Sequence, residues 1–176
     1  LLGVYPDDPS RKGGMAEKIK LLIVDDEVKF LESISQRLEM RGFDVTKATN
    51  GERALDEARK SKFDVALLDL RMPGMNGVEV LSVLKKEHKY IEAIILTGHG
   101  SIDSAVECTK LGAFDYLPKP YELEKLLEVL QKAYEARLRK KFALDDVRMA
   151  KIQELAAGSS PLTILREMSK LDDGEK

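Results

Sequence analysis

Asp69 closes an apolar run, Val65-Ala66-Leu67-Leu68-Asp69, and a Pro73-Gly74 turn comes soon after it. Short apolar runs bounded by turn signals predict buried parallel strands. Packing alone gives no reason for an acid at the end of one. Asp25 and Asp26 follow a second such run, Lys20 to Val24. Thr97 ends a third, Ile91 to Thr97, and Lys119 lies just past a fourth, Asp115-Tyr116-Leu117. Three carboxylates in one pocket repel: two unit charges about 4 Å apart cost roughly 4 kcal/mol at an effective dielectric of about 20. A cation relieves that repulsion. Oxygen donors without sulfur or imidazole suit a hard ion, and Mg2+ accepts a couple of carboxylates while keeping several waters. Lys119 adds a mobile positive charge and Thr97 a hydroxyl donor. Such a set suits the receipt of a phosphoryl group on a carboxylate oxygen. Taken singly, each residue has a plainer reading. Asp25 and Asp26 fit a helix start, Thr97 fits an ordinary strand end, and Lys119 fits a solvated lysine between prolines. Their joint placement favours a site.

Five alternations of strand and helix must do the placing. Strands are predicted at 20–24, 43–48, 63–69, 91–97 and 115–117. Between them, Leu31, Ile34 and Leu38, with Phe30 beside them, mark one helix face over 28–41. Asn50 is a cap for a helix through Ala54, Leu55 and Ala58. Val78, Leu81 and Leu84 mark a third helix, and a fourth starts at Ser101 or Asp103. Gly42 and Gly112 stop helices. Such alternation predicts a doubly wound α/β fold, a parallel sheet covered on both faces. Its ligand site lies beyond the carboxyl ends of the strands, where Asp25, Asp26, Asp69, Thr97 and Lys119 all fall.

The net charge of −2 gives no general pull toward nucleic acid or membrane. No apolar run approaches the roughly 20 residues that cross a bilayer. The single cysteine, Cys108, forms no internal disulfide, so a reducing, cytoplasmic setting is expected. Residues 1–17 are expected to lie before the first domain, and 1–14 to be an unstructured leader or a non-native addition, because Met15 has the look of a natural start.

Four stretches together resemble the receiver domain of two-component response regulators: Leu-Leu-Ile-Val-Asp-Asp-Glu at 21–27, Leu-Leu-Asp-Leu-Arg-Met-Pro-Gly-Met-Asn-Gly at 67–77, Ile-Leu-Thr-Gly-His-Gly at 95–100, and Gly-Ala-Phe-Asp-Tyr-Leu-Pro-Lys-Pro at 112–120. The last two are similar to receivers of sigma-54-dependent activators. The resemblance covers residues 18–136. It implies a flavodoxin-like, five-stranded sheet of order 2-1-3-4-5. It implies that Asp69 is the phospho-acceptor, fed by a histidine kinase or phosphotransfer protein. Asp25, Asp26, Asp69 and the backbone carbonyl of Arg71 would hold Mg2+, and Thr97 and Lys119 would bind phosphoryl oxygens. Tyr116 would be the aromatic that follows Thr97, switching the face of the fourth helix, fifth strand and fifth helix. The Lys119–Pro120 bond would be cis. Arg71 and His99, each two residues past a site residue, are candidates for setting the acyl-phosphate lifetime.

Residues 137–176 are expected to form a helical C-terminal extension. Leu123, Leu126, Leu127, Leu130, Tyr134 and Leu138 share a helix face, and the pattern continues loosely through Phe142, Leu144, Met149, Ile152 and Leu155. The first break expected is Gly158-Ser159-Ser160-Pro161. Three readings of the tail stand open: a dimerisation helix giving a homodimer, a fold-back on the receiver, or a docking segment for a downstream protein. Residues 121–176 carry eleven basic and eleven acidic side chains, so direct nucleic-acid contact is not expected. No DNA-binding output pattern follows the receiver. The expected function is thus a signalling switch rather than an enzyme. The alternative is the receiver half of a truncated transcription regulator. An aspartyl phosphatase needs a second acid two residues after its nucleophile, where this chain has Arg71.

Overall fold

The computed structural model describes residues 17–98, 100–158 and 160–173. The expected leader therefore lies outside the described residues, as does His99.

Five strands, β1 (Lys20–Val24), β2 (Asp44–Ala48), β3 (Val65–Leu68), β4 (Glu92–Thr97) and β5 (Asp115–Pro118), form one parallel sheet of order β2-β1-β3-β4-β5. The expected strand order is the observed one. Helices α1 (Val28–Glu39), α2 (Gly51–Lys60), α3 (Gly77–Glu87), α4 (Ile102–Lys110) and α5 (Leu123–Lys141) alternate with the strands. Strand periodicity divides the core in two. Leu21, Ile23, Val65, Leu67, Ile94 and Leu96 face α1 and α5. Leu22, Val24, Ala66, Leu68, Ala93 and Ile95 face the other side, where α2 and α3 pack.

Local chemistry sets the helix ends. Asn50 accepts from the Arg53 N–H at 2.8 Å, as expected for the α2 cap. Asn76 and Glu79 form a reciprocal capping box on α3. Of the two candidates for the start of α4, Ser101 is the cap, accepting from the Ser104 N–H at 3.1 Å. Gly42 and Gly112 have φ of +93° and +92°, a left-handed turn that glycine adopts without steric cost.

The tail departs from the expected pattern. Its helix does not run on to Gly158. It ends at Lys141, and α6 (Asp146–Ala156) and α7 (Pro161–Asp172) follow. The break is made by Asp145, whose carboxylate accepts from the Arg148 N–H at 2.9 Å and caps α6. Leu144, expected on the apolar face, is fully exposed at this turn. Ser160 caps α7, with Pro161 in the first turn. Of the three readings of the tail, the structure shows the fold-back. Ile152, Ile164, Leu165 and Met168 are buried in the same cluster as Leu127, Leu130 and Tyr134 of α5. Burying side chains of this size is worth about 2 kcal/mol each.

Candidate functional site

The sheet register brings the acids together. Val24 pairs with Leu68, and Asp25 and Asp69 are the next residue on each strand. The Asp69 N–H donates to the Val24 carbonyl at 2.9 Å, which extends the pairing to the tip. Asp26 completes the group: one carboxylate oxygen from each of Asp25, Asp26 and Asp69 lies within 4.8 Å of the others. Asp25 and Asp69 are buried and Asp26 is exposed, so the cluster opens to solvent on one side.

On the far side of β3, Thr97 is buried at the end of β4 and pairs with Pro118. The Lys119 N–H donates to the Thr97 carbonyl at 3.0 Å, turning the chain so that Lys119 reaches back across the tip. Its ammonium donates to Asp25 Oδ2 at 2.5 Å and lies 3.8 Å from Glu27 Oε2. The Lys119–Pro120 bond is cis. A cleft of about 270 Å³ is lined by Asp26, Glu27, Asp69, Arg71, Gly98 and Lys119.

Burial pushes the Asp69 carboxyl above the usual carboxylate range. The Asp25 charge pushes the same way, while the hydrogen bond from Thr97, the Lys119 charge and the Leu70 N–H pull it down. The last of these donates to Asp69 Oδ1 at 3.0 Å. The result is an aspartate oxygen more basic than usual, held at the mouth of a polar cleft. Asp25 is fixed separately, its Oδ1 accepting from the Glu27 N–H at 2.9 Å.

All five residues expected to converge, Asp25, Asp26, Asp69, Thr97 and Lys119, do so. Arg71 lines the cleft. Tyr116 sits on β5, its hydroxyl buried with no hydrogen-bond partner among the described residues. The expected role of His99 lies outside the described residues. Sequence reasoning missed three supporting residues. A Cβ on Gly77 would come within 2.1 Å of the Asp69 carbonyl oxygen, so only glycine lets α3 start so close to the end of β3. A Cβ on Gly100 would come within 1.4 Å of the Tyr116 hydroxyl. Phe30, read as a packing residue, carries its ring 3.8 Å from Lys119 Nζ.

The profile of the response regulator receiver domain matches residues 21–131. The chain belongs to the response regulator receiver family. ZraR, a transcriptional regulatory protein of Klebsiella oxytoca, is 38% identical over 117 residues, which are 66% of this chain and 26% of ZraR. The transcriptional regulatory protein FixJ of Bradyrhizobium diazoefficiens is 34% identical over 119 residues, 68% of this chain and 58% of FixJ. This chain thus spans about a quarter of the length of ZraR and little over half that of FixJ. Among solved structures, a CheY-like receiver domain protein from Methanospirillum hungatei superposes with a TM-score of 0.68 at 30% identity, covering 70% of this chain and 99% of that one. The response regulator TrrA from Thermotoga maritima, in complex with Mg2+ and BeF, gives a TM-score of 0.60 at 31% identity, covering 66% of this chain and 99% of that one. Helices α6 and α7 lie beyond the region matched by the receiver profile.

The three carboxylates fit a hard divalent ion. They offer oxygen donors alone, close enough to share one cation, with one side open for water.

Proposed function

We propose that this receiver accepts a phosphoryl group on Asp69 from a histidine kinase or phosphotransfer protein. The observation that carries the reading is the convergence of Asp25, Asp26, Asp69 and Lys119 on one open cleft at the carboxyl edge of the sheet. Asp25, Asp26 and Asp69, with the backbone carbonyl of Arg71, would hold Mg2+, which neutralises charge on the phosphoryl oxygens. An Asp69 carboxylate oxygen attacks phosphorus opposite the donor imidazole; the O–P bond forms, the N–P bond breaks, and the imidazole nitrogen keeps the electron pair. The Thr97 hydroxyl donates to one phosphoryl oxygen and the Lys119 ammonium to another.

Drawing Thr97 toward the phosphoryl group frees space beside Tyr116, and the α4–β5–α5 face shifts. A change from 1:99 to 99:1 needs about 5.5 kcal/mol of differential stabilisation, within reach of a few charge-assisted contacts. The chain acts as a cytoplasmic signalling switch rather than an enzyme with an external substrate. Its output is a protein contact, with a second copy or a downstream partner. Arg71, which lines the cleft, and His99, two residues past Thr97 in the sequence, set the lifetime of the phosphoryl group.

Transfer of label from a phosphohistidine donor tests the reading. The wild-type chain takes the label and Asp69→Ala takes none; persistent labelling of the variant refutes the assignment. The relatives support a second reading, in which this receiver serves a longer regulator of transcription. The gene sequence following Lys176 decides it.

A further inference from the structure

We propose that Phe30 is a positioning residue for Lys119, its ring face holding the ammonium while the lysine changes partners. This rests on the reading above, in which Lys119 binds a phosphoryl oxygen. The Lys119 Nζ lies 3.8 Å from the Phe30 ring centroid, inside the range of about 6 Å over which a ring face attracts a cation. The Lys119 side chain is 15% exposed, so water does little to hold the charge in place.

Among the described residues the ammonium pairs with two anions, Asp25 and Glu27, and its charge also reaches Asp69. Asp25 cannot hold it throughout the reaction. A carboxylate that ligates a cation shares its charge with that cation, and the phosphoryl group draws the ammonium off. Glu27 is 71% exposed, and its pull is screened by water and salt. Of these neighbours, Phe30 alone attracts a cation without carrying a charge. Its attraction is broad in direction, so the ammonium can slide from Asp25 toward a phosphoryl oxygen without leaving the ring.

The ring is itself fixed. It meets Tyr121 edge-on, with centroids 6.3 Å apart and planes at 86°, and packs against the core on the α1 side. Tyr121 lies two residues past Lys119. The segment that carries the lysine thus also carries the residue that orients its support on α1.

The test is phosphorylation of the full chain by acetyl phosphate with Mg2+, followed by intact mass. Phe30→Leu keeps the apolar bulk but loses the ring face, and the rate should fall about fivefold. Phe30→Tyr keeps a ring and most of the rate. Melting temperature confirms that both variants fold. In a Lys119→Met background, Phe30→Leu should change nothing further, because its effect passes through the lysine. The ε-methylene protons of Lys119, shifted upfield by the ring in the wild type and in Phe30→Tyr, should lose that shift in Phe30→Leu. Wild-type rates in Phe30→Leu, or an equal loss with and without Lys119, overturn the proposal. If the wild type itself takes no phosphoryl group on Asp69, the functional reading fails first, and the wild-type arm alone shows it.

Discussion

The Asp69 carboxyl has neighbours that pull in opposite directions: burial and Asp25 raise it, while Thr97 and Lys119 lower it. The acids, the threonine and the lysine were legible from sequence because each stands at or just past the end of a recognisable strand. Gly77, Gly100 and Phe30 were not, because what each meets is set by how the chain turns or packs and no periodicity marks it. Each glycine carries a prediction. Gly77→Ala forces a Cβ against the Asp69 carbonyl at the end of β3, and should cost about 3 kcal/mol in urea unfolding. A loss under about 1 kcal/mol would mean that α3 moves aside easily. Gly100→Ala should expel the Tyr116 ring, because its hydroxyl fills the space that the new methyl takes. Stability should change by about 1 kcal/mol or less, since that hydroxyl leaves a place where it has no partner among the described residues. The ring resonances of Tyr116 report the outcome, and unchanged resonances in the variant reject it.

Among the elements, α5 does more than close the sheet. Its buried residues include Leu127 and Leu130 as well as Val129 and Gln131, a wider arc than one face of a helix needs. That width reflects two neighbours, the sheet and the α6–α7 pair. Sequence periodicity showed that the tail was helical and amphipathic. It did not show the turn at Asp145, because an aspartate is a weaker signal than proline or glycine.

The anchor of α7 is Asp172. It accepts from Lys141 at 2.6 Å, from Arg137 at 2.9 Å and from the Tyr134 hydroxyl at 3.2 Å. Arg137 also reaches Asp64 at 2.9 Å, and Lys140 bonds the buried Glu92. Burial pushes Asp172 up, but Lys141, Arg137 and Tyr134 outweigh it and hold the carboxyl below its ordinary 3.8. A lowered folded value means that the stabilisation is complete above that ordinary value. It is lost as the pH falls from there through the folded value. Amides of α7 should therefore exchange faster with solvent as the pH drops below about 4, after correction for the intrinsic rate. Asp172→Asn should show fast exchange already at neutral pH, with a loss of about 2 kcal/mol. Asp64 runs the other way: burial raises it, so its ionisation opposes folding above its ordinary value. Wild-type exchange of the α7 amides in Asp172→Asn at neutral pH rejects the role given to Asp172.

Over the whole molecule, two polar clusters occupy opposite edges of one sheet. Asp25, Asp69, Thr97 and Lys119 lie at the carboxyl ends of the strands. Asp64 and Glu92, which fasten the C-terminal part of α5, lie at the amino ends of β3 and β4. The sequence alternation specified the sheet and its two helical layers because each strand contributes residues to both faces. It could not specify where the tail would rest, since amphipathic helices fit several partners and the choice is made by contacts between distant segments. The apolar residues of α7 are committed to this chain's own core, so a homodimer built on them requires α7 to leave α5 first.

For this site to work as proposed, the gathered acids must take a divalent cation and a phosphoryl group together. The direct measurement is to incubate the chain with acetyl phosphate with and without Mg2+, trap the acyl phosphate by borohydride reduction, and map the modified residue by peptide mass. Modification at Asp69, present with Mg2+ and lost when it is chelated, is the predicted result. Modification at another residue, or equal modification of Asp69 without the cation, would contradict it.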